Sequence, residues 1–473
     1  MGRLPFPPDA ELTGPDRMIL DILQKQYEAY DEASSIKPAD AAEESDDSAT
    51  KHSKFVAPSP EGTLLPPLLI HKRLFEGYID EALDLQDVEQ QTIEILKNLN
   101  DPKASSFEPT VFSSVDLPDI KKGFWRDNIV LPYTKWARTV VRNEADVVMV
   151  THLLLYTCTI LPSAICLFSH FRWWHAVLHG VMQGWYAGAY TLLKHQHIHA
   201  RGVLNKKYAL VDELFPYVLD PLMGHTWNSY YFHHVKHHHV EGNGPDDISS
   251  TVRYQRDDVW HFIQYVGRFY LMIWYDMPRY FLRARKPMLA LKVGACEISN
   301  YAVLYYLFEY VSARATIFVF LIPLALMRLA LMTGNWGQHA LVDENEPNSD
   351  FRSSITLIDV PSNRYCYNDG YHTSHHLNPL RHWRDHPVAF LAQKQKYADE
   401  HALVFYNMDY MFLTFHLLRK NYDHIAQCLV PLGAAQMKLT HDERVAMLKR
   451  KTRRFTEDDI AAKWGKQYAR RSK

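Results

Sequence analysis

Cysteine is scarce in this chain and never paired. Five cysteines (Cys158, Cys166, Cys296, Cys366 and Cys428) lie so far apart that no CxxC pair forms. That argues against a disulfide framework or a cysteine-built zinc site and fits a reducing compartment. Net charge is nearly absent as well. The formal value is -2 and the pI is about 7.0, so the charge balance gives no reason to expect nucleic acid as a partner. The chain contains no GxGxxG fingerprint and no HPGG-type haem motif. Its opening, MGRLPFPPDAELTGP, has no apolar core followed by a cleavage site, so no secretory signal is expected. Phe6 stands where a myristoylation motif needs Ser or Thr. The mean hydropathy of -0.29 looks too polar for a membrane protein, but the average hides a very uneven chain.

The unevenness divides the sequence into three regions: a polar, partly disordered stretch over 1–120, a membrane domain over 121–400, and a helical cytosolic region over 401–473. Asp31 to Thr50 is acidic, almost without large apolar residues, and reads as a disordered linker. Residues 80–98 repeat apolar positions at three- and four-residue spacing and read as a surface helix. Nothing before residue 120 suggests chemistry. After it, Val147 to Phe168 is long enough to cross a bilayer, which takes about 20 residues. Trp174 to Leu193, Met288 to Phe308 and Ala315 to Met332 are three further candidates. Val259 to Leu282 is aromatic but carries Arg268, Asp276 and Arg279, and reads as an interfacial helix. His152, inside the first candidate, reads as a buried histidine and not a ligand. The short connections at 169–173 and 309–314 carry one arginine each, whereas Lys135, Arg138, Arg142, Lys194 and Arg201 are among many cations on the opposite flanks. By the positive-inside rule both termini and the long middle segment are cytosolic.

What the chain has in abundance is histidine, 26 residues in all, many of them bunched. His195-Gln-His-Ile-His199 follows the second candidate span, and its outer pair shares a face if the helix continues. Phe232-His-His-Val-Lys-His-His-His239 comes next. Asn335-Trp-Gly-Gln-His339 ends the fourth span, and His372-Thr-Ser-His375-His376 places three rings at i, i+3 and i+4. Any one cluster could be a packing coincidence. Four clusters on one membrane face are a metal-binding pattern. About nine imidazoles are too many for a single zinc site, which takes three or four protein ligands. They suit two ions of higher coordination, although imidazole alone does not choose among Zn, Cu, Fe and Ni.

These four groups resemble the histidine boxes of the membrane fatty-acid desaturase superfamily, which includes acyl-CoA desaturases and alkane monooxygenases. The resemblance covers roughly residues 145–400. It implies an all-α protein with four transmembrane helices and a cytosolic helical cap that holds a di-iron site. His195 and His199 look like box one. His372, His375 and His376, followed by Leu-Asn-Pro, look like box three with an alkane-hydroxylase tail. Asn335 and His339 resemble the NxxxH element, in which Asn reaches iron through water. Box two is open to two readings. Helical spacing selects His234, His237 and His238, whereas the PDD…SS segment that follows aligns with the alkane-hydroxylase box and selects His234, His238 and His239. The second reading is preferred, with His237 the alternate ligand and His233 outside the set. Glu241, Asp246, Asp247, Asp343 and Asp359 lie near enough to orient ligands.

The family implies two non-haem irons, O2 as co-substrate, a fatty-acyl lipid substrate and a bilayer of the endoplasmic reticulum. With no haem or rubredoxin motif in the chain, electrons are expected from cytochrome b5 or a ferredoxin-like donor with its reductase. Desaturation is the leading expectation, and hydroxylation of a fatty acid or alkane on the same scaffold is the alternative. A membrane zinc hydrolase is disfavoured because Gln196 stands where HExxH needs its glutamate. A metal transporter is disfavoured because transport sites lie near mid-membrane and these clusters end the spans. Past residue 400, KRKTRRF from Lys449 to Phe455 reads as a solvated or headgroup-facing segment, and the terminal RRSK only faintly resembles a retrieval signal. Glycosylation acceptors inserted between Ser169 and Trp173, or between Glu309 and Arg314, should be modified in the lumen, and acceptors near Asn205 or Ser349 should not. Modification near either of the latter would reject the shared-face argument.

Overall fold

A computed structural model describes residues 13–35, 85–113, 117 and 120–468. The N-terminal motif up to residue 12, the acidic linker beyond Ser35 and the final RRSK lie outside the described residues. The chain is mostly helical. We number the helices that frame the site α1 (Gly14–Ser35), α2 (Leu85–Asn100), α3 (Leu131–Val140), α4 (Val147–Ser169), α5 (Trp173–Ala200), α6 (Ala209–Leu222), α7 (Val259–Arg283), α8 (Pro287–Tyr306), α9 (Ala313–Gln338) and α10 (His372–Leu377).

The expectation of four membrane spans meets four helices, α4, α5, α8 and α9, but only α4 and α9 are long and apolar enough to cross a bilayer by length and composition. The middle of α5 is interrupted by polar and small residues, and α8 carries Lys292 and Glu297. Helix α5 nevertheless turns apolar side chains outward, with Trp174, Val177, Leu178, Val181 and Trp185 all exposed along one stripe. Helix α7 sets Arg268, Asp276 and Arg279 along the wall of a polar cavity beside residues 245–254. Its other exposed face is apolar, with Trp260, Ile263, Leu271 and Trp274.

The all-α expectation needs correction. A small sheet runs in the order β1 (Ile355–Ile358), β2 (Leu403–Tyr406), β3 (Leu429–Val430), with β1 parallel and β3 antiparallel to β2. Ile355 pairs with Leu403 and Ile358 with Tyr406. Runs as short as ITLI and LVFY, buried on both faces, show no alternation, so periodicity cannot separate them from helix. The sheet underlies the third histidine box, because the Leu357 amide donates to the Gly370 carbonyl at 2.7 Å, just before α10.

Two buried polar residues lock this region. Arg256 is fully buried, and its guanidinium donates to the carbonyls of Ala340, Thr251, Lys451 and Arg453, tying the segment after α9 to the C-terminal region. Burial pulls its pKa down to about 9. The N-terminal region, which the sequence left without a role, supplies the other. Ile19, Ile22 and Leu23 of α1 share a core with Trp336, Phe390 and Phe405, each such side chain contributing roughly 1.5–3 kcal/mol by burial. That packing seats the Asp16 carboxylate where it accepts from Tyr371 Oη at 2.5 Å, Asn363 Nδ2 at 2.9 Å and the Asp359 amide at 3.1 Å. Tyr371 immediately precedes His372. Asp16→Ala leaves three buried donors without their acceptor and should cost about 3 kcal/mol or more in thermal unfolding. Asp16→Asn, which keeps one acceptor oxygen, should cost less. Unfolding of the alanine variant at the wild-type temperature would remove this support.

Candidate metal centre

Each histidine box sits at a different kind of helix end. His195 and His199 face one way from the last turns of α5, which stops at Arg201 in the left-handed conformation (φ 54). Box two lies on a π-helix, Tyr231–His238, in which the His239 amide donates to the His234 carbonyl five residues back. That wider winding lets residues five apart approach one point. His339 caps the C-terminus of α9, and His372, His375 and His376 lie on the single turn of α10.

These elements gather nine imidazoles into two adjoining groups. The first contains His195, His199, His234, His239 and His375. Four of its Nε2 atoms form a closed ring: His195 to His234 is 2.9 Å, His234 to His239 3.0 Å, His239 to His375 2.8 Å and His375 to His195 3.0 Å. A neutral imidazole Nε2 carries either one hydrogen or one lone pair, so four of them cannot close a chain of hydrogen bonds. A square of edge 2.9 Å has its corners about 2.1 Å from its centre, the usual metal–imidazole distance. The His199 ring stands 4.8 to 5.1 Å from all four of the other rings, and its buried Nε2 has no hydrogen-bond partner among the described residues. The donor set therefore fits one ion with five imidazoles.

The second group contains His238, His339 and His376. The Nε2 of His372 lies 3.1 Å from that of His339 and extends the group to four. Here the outer nitrogens are held. His238 Nδ1 donates to Asp247 Oδ2 at 2.7 Å, His339 Nδ1 lies 3.3 Å from the Ser353 carbonyl, and His376 Nδ1 lies 3.4 Å from Asp350 Oδ1. Each contact fixes a tautomer that leaves Nε2 bare. The buried His376 Nε2 has no hydrogen-bond partner among the described residues.

Burial, followed by neighbouring imidazoles, pulls His234, His239, His372 and His375 far below the ordinary histidine pKa. At neutral pH they carry no charge, the form a metal requires. Burial alone would raise the Asp247 carboxyl, but His238 and His237 hold it well below the usual range, so it stays an acceptor.

The alternate ligand His237 and the candidate Asn335 fall in neither group, and nor does His233, which was not among the candidates. His237 lies in neither group, since its Nε2 accepts from the Ile248 amide at 2.8 Å and its ring packs on Tyr280. His233 turns its ring to Phe269. Asn335 donates through Nδ2 to the Ser249 carbonyl and to Tyr265 Oη, and it joins the wall of a cavity and not the imidazole cluster itself. Of the five candidate orienting carboxylates only Asp247 contacts a histidine of either group. Glu241 accepts from Tyr280, Asp343 pairs with Lys451, Asp246 stands 3.7 Å from Arg283, and the Asp359 amide donates to Asp16. The sequence missed Asp350 and the Ser353 carbonyl, because a short helix, Asp350–Ser353, brings the first to His376 of α10 and the second to His339 at the end of α9. His152 is buried and hydrogen-bonded through Nδ1 to Tyr367 Oη at 2.7 Å.

A largely apolar cavity of about 530 Å³ opens on both groups, lined by His195, His234, His238 and His372 and by Phe269, Met277 and Leu331. Its size suits a bound chain. Histidine-rich sites of this kind, held at helix ends beside an apolar cavity, define a membrane oxidase of the desaturase type. Residues 172–407, about half of the chain, match the family model described as fatty acid desaturase, and the chain belongs to that family. No curated protein and no solved structure matches it significantly. The family makes it an oxidoreductase that acts on lipid.

His199→Ala should lower bound metal by one ion per chain in elemental analysis, and His376→Ala should do the same. His237→Ala should cost about 1–3 kcal/mol of stability through the unpaired Ile248 amide and keep both ions, as should replacement of the exposed His170 without that cost. Metal loss in the His237 variant alone would reverse the division of box two.

Proposed function

We propose that this protein is an O2-dependent fatty-acyl desaturase that introduces a double bond into a long acyl chain at a non-haem di-iron centre. The observation that carries the reading is the closed ring of four Nε2 atoms, each 2.8–3.0 Å from the next, beside an apolar cavity that His195 and His234 line. Two irons with O2 supply an oxidant able to attack an unactivated C–H bond, which no side chain provides. His195, His199, His234, His239 and His375 hold one iron. His238, His339, His372 and His376 hold the other. With Nδ2 committed to Ser249 and Tyr265, Asn335 keeps Oδ1 as an acceptor and would support the second iron through water. Phe269, Ile273 and Met277 of α7 keep bulk water from the chain and set the attacked carbon against the histidines.

In this reading α4, α5, α8 and α9 all span the bilayer of the endoplasmic reticulum, with both termini and the centre cytosolic. The outward apolar stripe of α5 and the exposed Met288, Leu291 and Ile298 of α8 support lipid contact for the two less apolar helices. Cytochrome b5 or a ferredoxin-like protein, with its reductase, delivers the electrons.

The box-three sequence HxxHHxNP favours a second outcome, hydroxylation, on the same site. Loss of a second hydrogen from the chain gives the alkene, and oxygen transfer gives the alcohol. Expression in a host of simple lipid composition, followed by mass spectrometry of total fatty acids, should reveal a chain lighter by two hydrogens with a locatable double bond. A chain heavier by one oxygen would replace desaturase by hydroxylase.

A further inference from the structure

The cavity that reaches the histidines also contains an ion pair. Glu297 of α8 is 1 % exposed, and its carboxylate accepts from Arg328 Nη2 of α9 at 3.2 Å and from the Thr226 hydroxyl. Arg328 Nη2 also donates to Tyr301 Oη at 2.7 Å. Glu297, Arg328, Thr226 and the neighbouring Ser229 all line the cavity. Both charged residues lie near the middle of their helices, in the depth assigned above to the membrane. Ionisable residues there are costly and usually serve a ligand or a pathway. A pair needed only to join two helices could be replaced by packed apolar side chains without loss, because desolvation offsets its attraction.

Placement and charge specify the ligand. Arg328 precedes Asn335 by seven residues of continuous helix, so it sits about 10 Å deeper along the α9 axis. Glu297 cancels its charge, which makes the site a poor one for a carboxylate or phosphate. Both recorded Arg328 bonds use Nη2. A guanidinium has five N–H donors, so Nε and Nη1 are left to donate. We infer that this cluster is a polar anchor for a neutral oxygen acceptor, an ester, amide or thioester carbonyl or a hydroxyl, borne by the substrate chain at a fixed distance from the reacting carbon. The inference rests on the desaturase reading for what happens at the histidines, and it selects functionalised lipids over alkanes and free fatty acids.

The test is displacement of radiolabelled methyl stearate from the metal-loaded protein in lipid nanodiscs, with stearic acid and octadecane as competitors. Wild-type protein should hold methyl stearate about tenfold more tightly than octadecane, the effect of one hydrogen bond from a charged donor, and stearate should gain nothing over the ester. In the double variant Glu297→Leu/Arg328→Met the ester should fall to the affinity of octadecane, with octadecane binding and metal content unchanged. The double change avoids leaving one charge buried alone. Equal binding of ester and alkane by wild type, or an ester preference that survives in the double variant, overturns the anchor. Ester preference without any oxidised lipid in cells would instead sink the desaturase reading and leave the anchor standing.

Discussion

Nine imidazoles aimed at two points, eight of them buried and His239 half-buried, are an unstable arrangement without cations. Four Nε2 atoms within 3.0 Å of their neighbours cannot complete a hydrogen-bond ring. In a buried setting the lone pairs need a positive charge between them. The rest of the architecture serves that convergence. The π-helix turns His239 beside His234, the left-handed stop at Arg201 ends α5 just past His199, and Asp247, Asp350 and Ser353 hold the outer ring nitrogens. In the di-iron reading, metal loading and ordering of the histidine-bearing helix ends would be one process, because the nine histidines come from four separated parts of the chain.

The sequence revealed the metal site more readily than the fold around it. The four boxes and their adjacency to apolar segments could be read directly, since an i, i+4 pair on a helix needs no tertiary information. How the ligands divide between the two ions could not. His375 and His376 are neighbours in sequence yet join different groups, as do His238 and His239, because consecutive side chains on one turn point in different directions. His238 and His239 stand in the two histidine groups and His237 in neither, and helical spacing could not anticipate this because the helix at box two is π and not α. Cross-chain supports left no local signal. Asp16 reaches Tyr371 across 355 residues, and the sheet pairs runs too short to show a period.

Membrane embedding was legible only in part for a related reason. Helices α5 and α8 expose apolar side chains on one side and hold polar groups on the other. Gln183, His179 and Lys194 face inward on α5, and Glu297 faces inward on α8. Averaged hydropathy sums both faces and cannot separate a functional span from an amphipathic soluble helix. Of the polar residues that lower the average, Glu297 lines the cavity, whereas His179, Gln183 and Lys194 bond to Ser163, the Leu222 carbonyl and Asp220 of neighbouring helices. The same duality bears on the reaction. In the proposed reading the histidines would serve either product alike, and the cavity would decide which carbon and which hydrogen they meet.

The central claim is that two irons occupy this cluster with nitrogen ligands. Elemental analysis of the purified full-length protein, joined to iron X-ray absorption spectroscopy, tests it most directly. The account predicts two irons per chain with a first coordination shell dominated by nitrogen. A single zinc per chain, or metal of variable identity and amount, would contradict it.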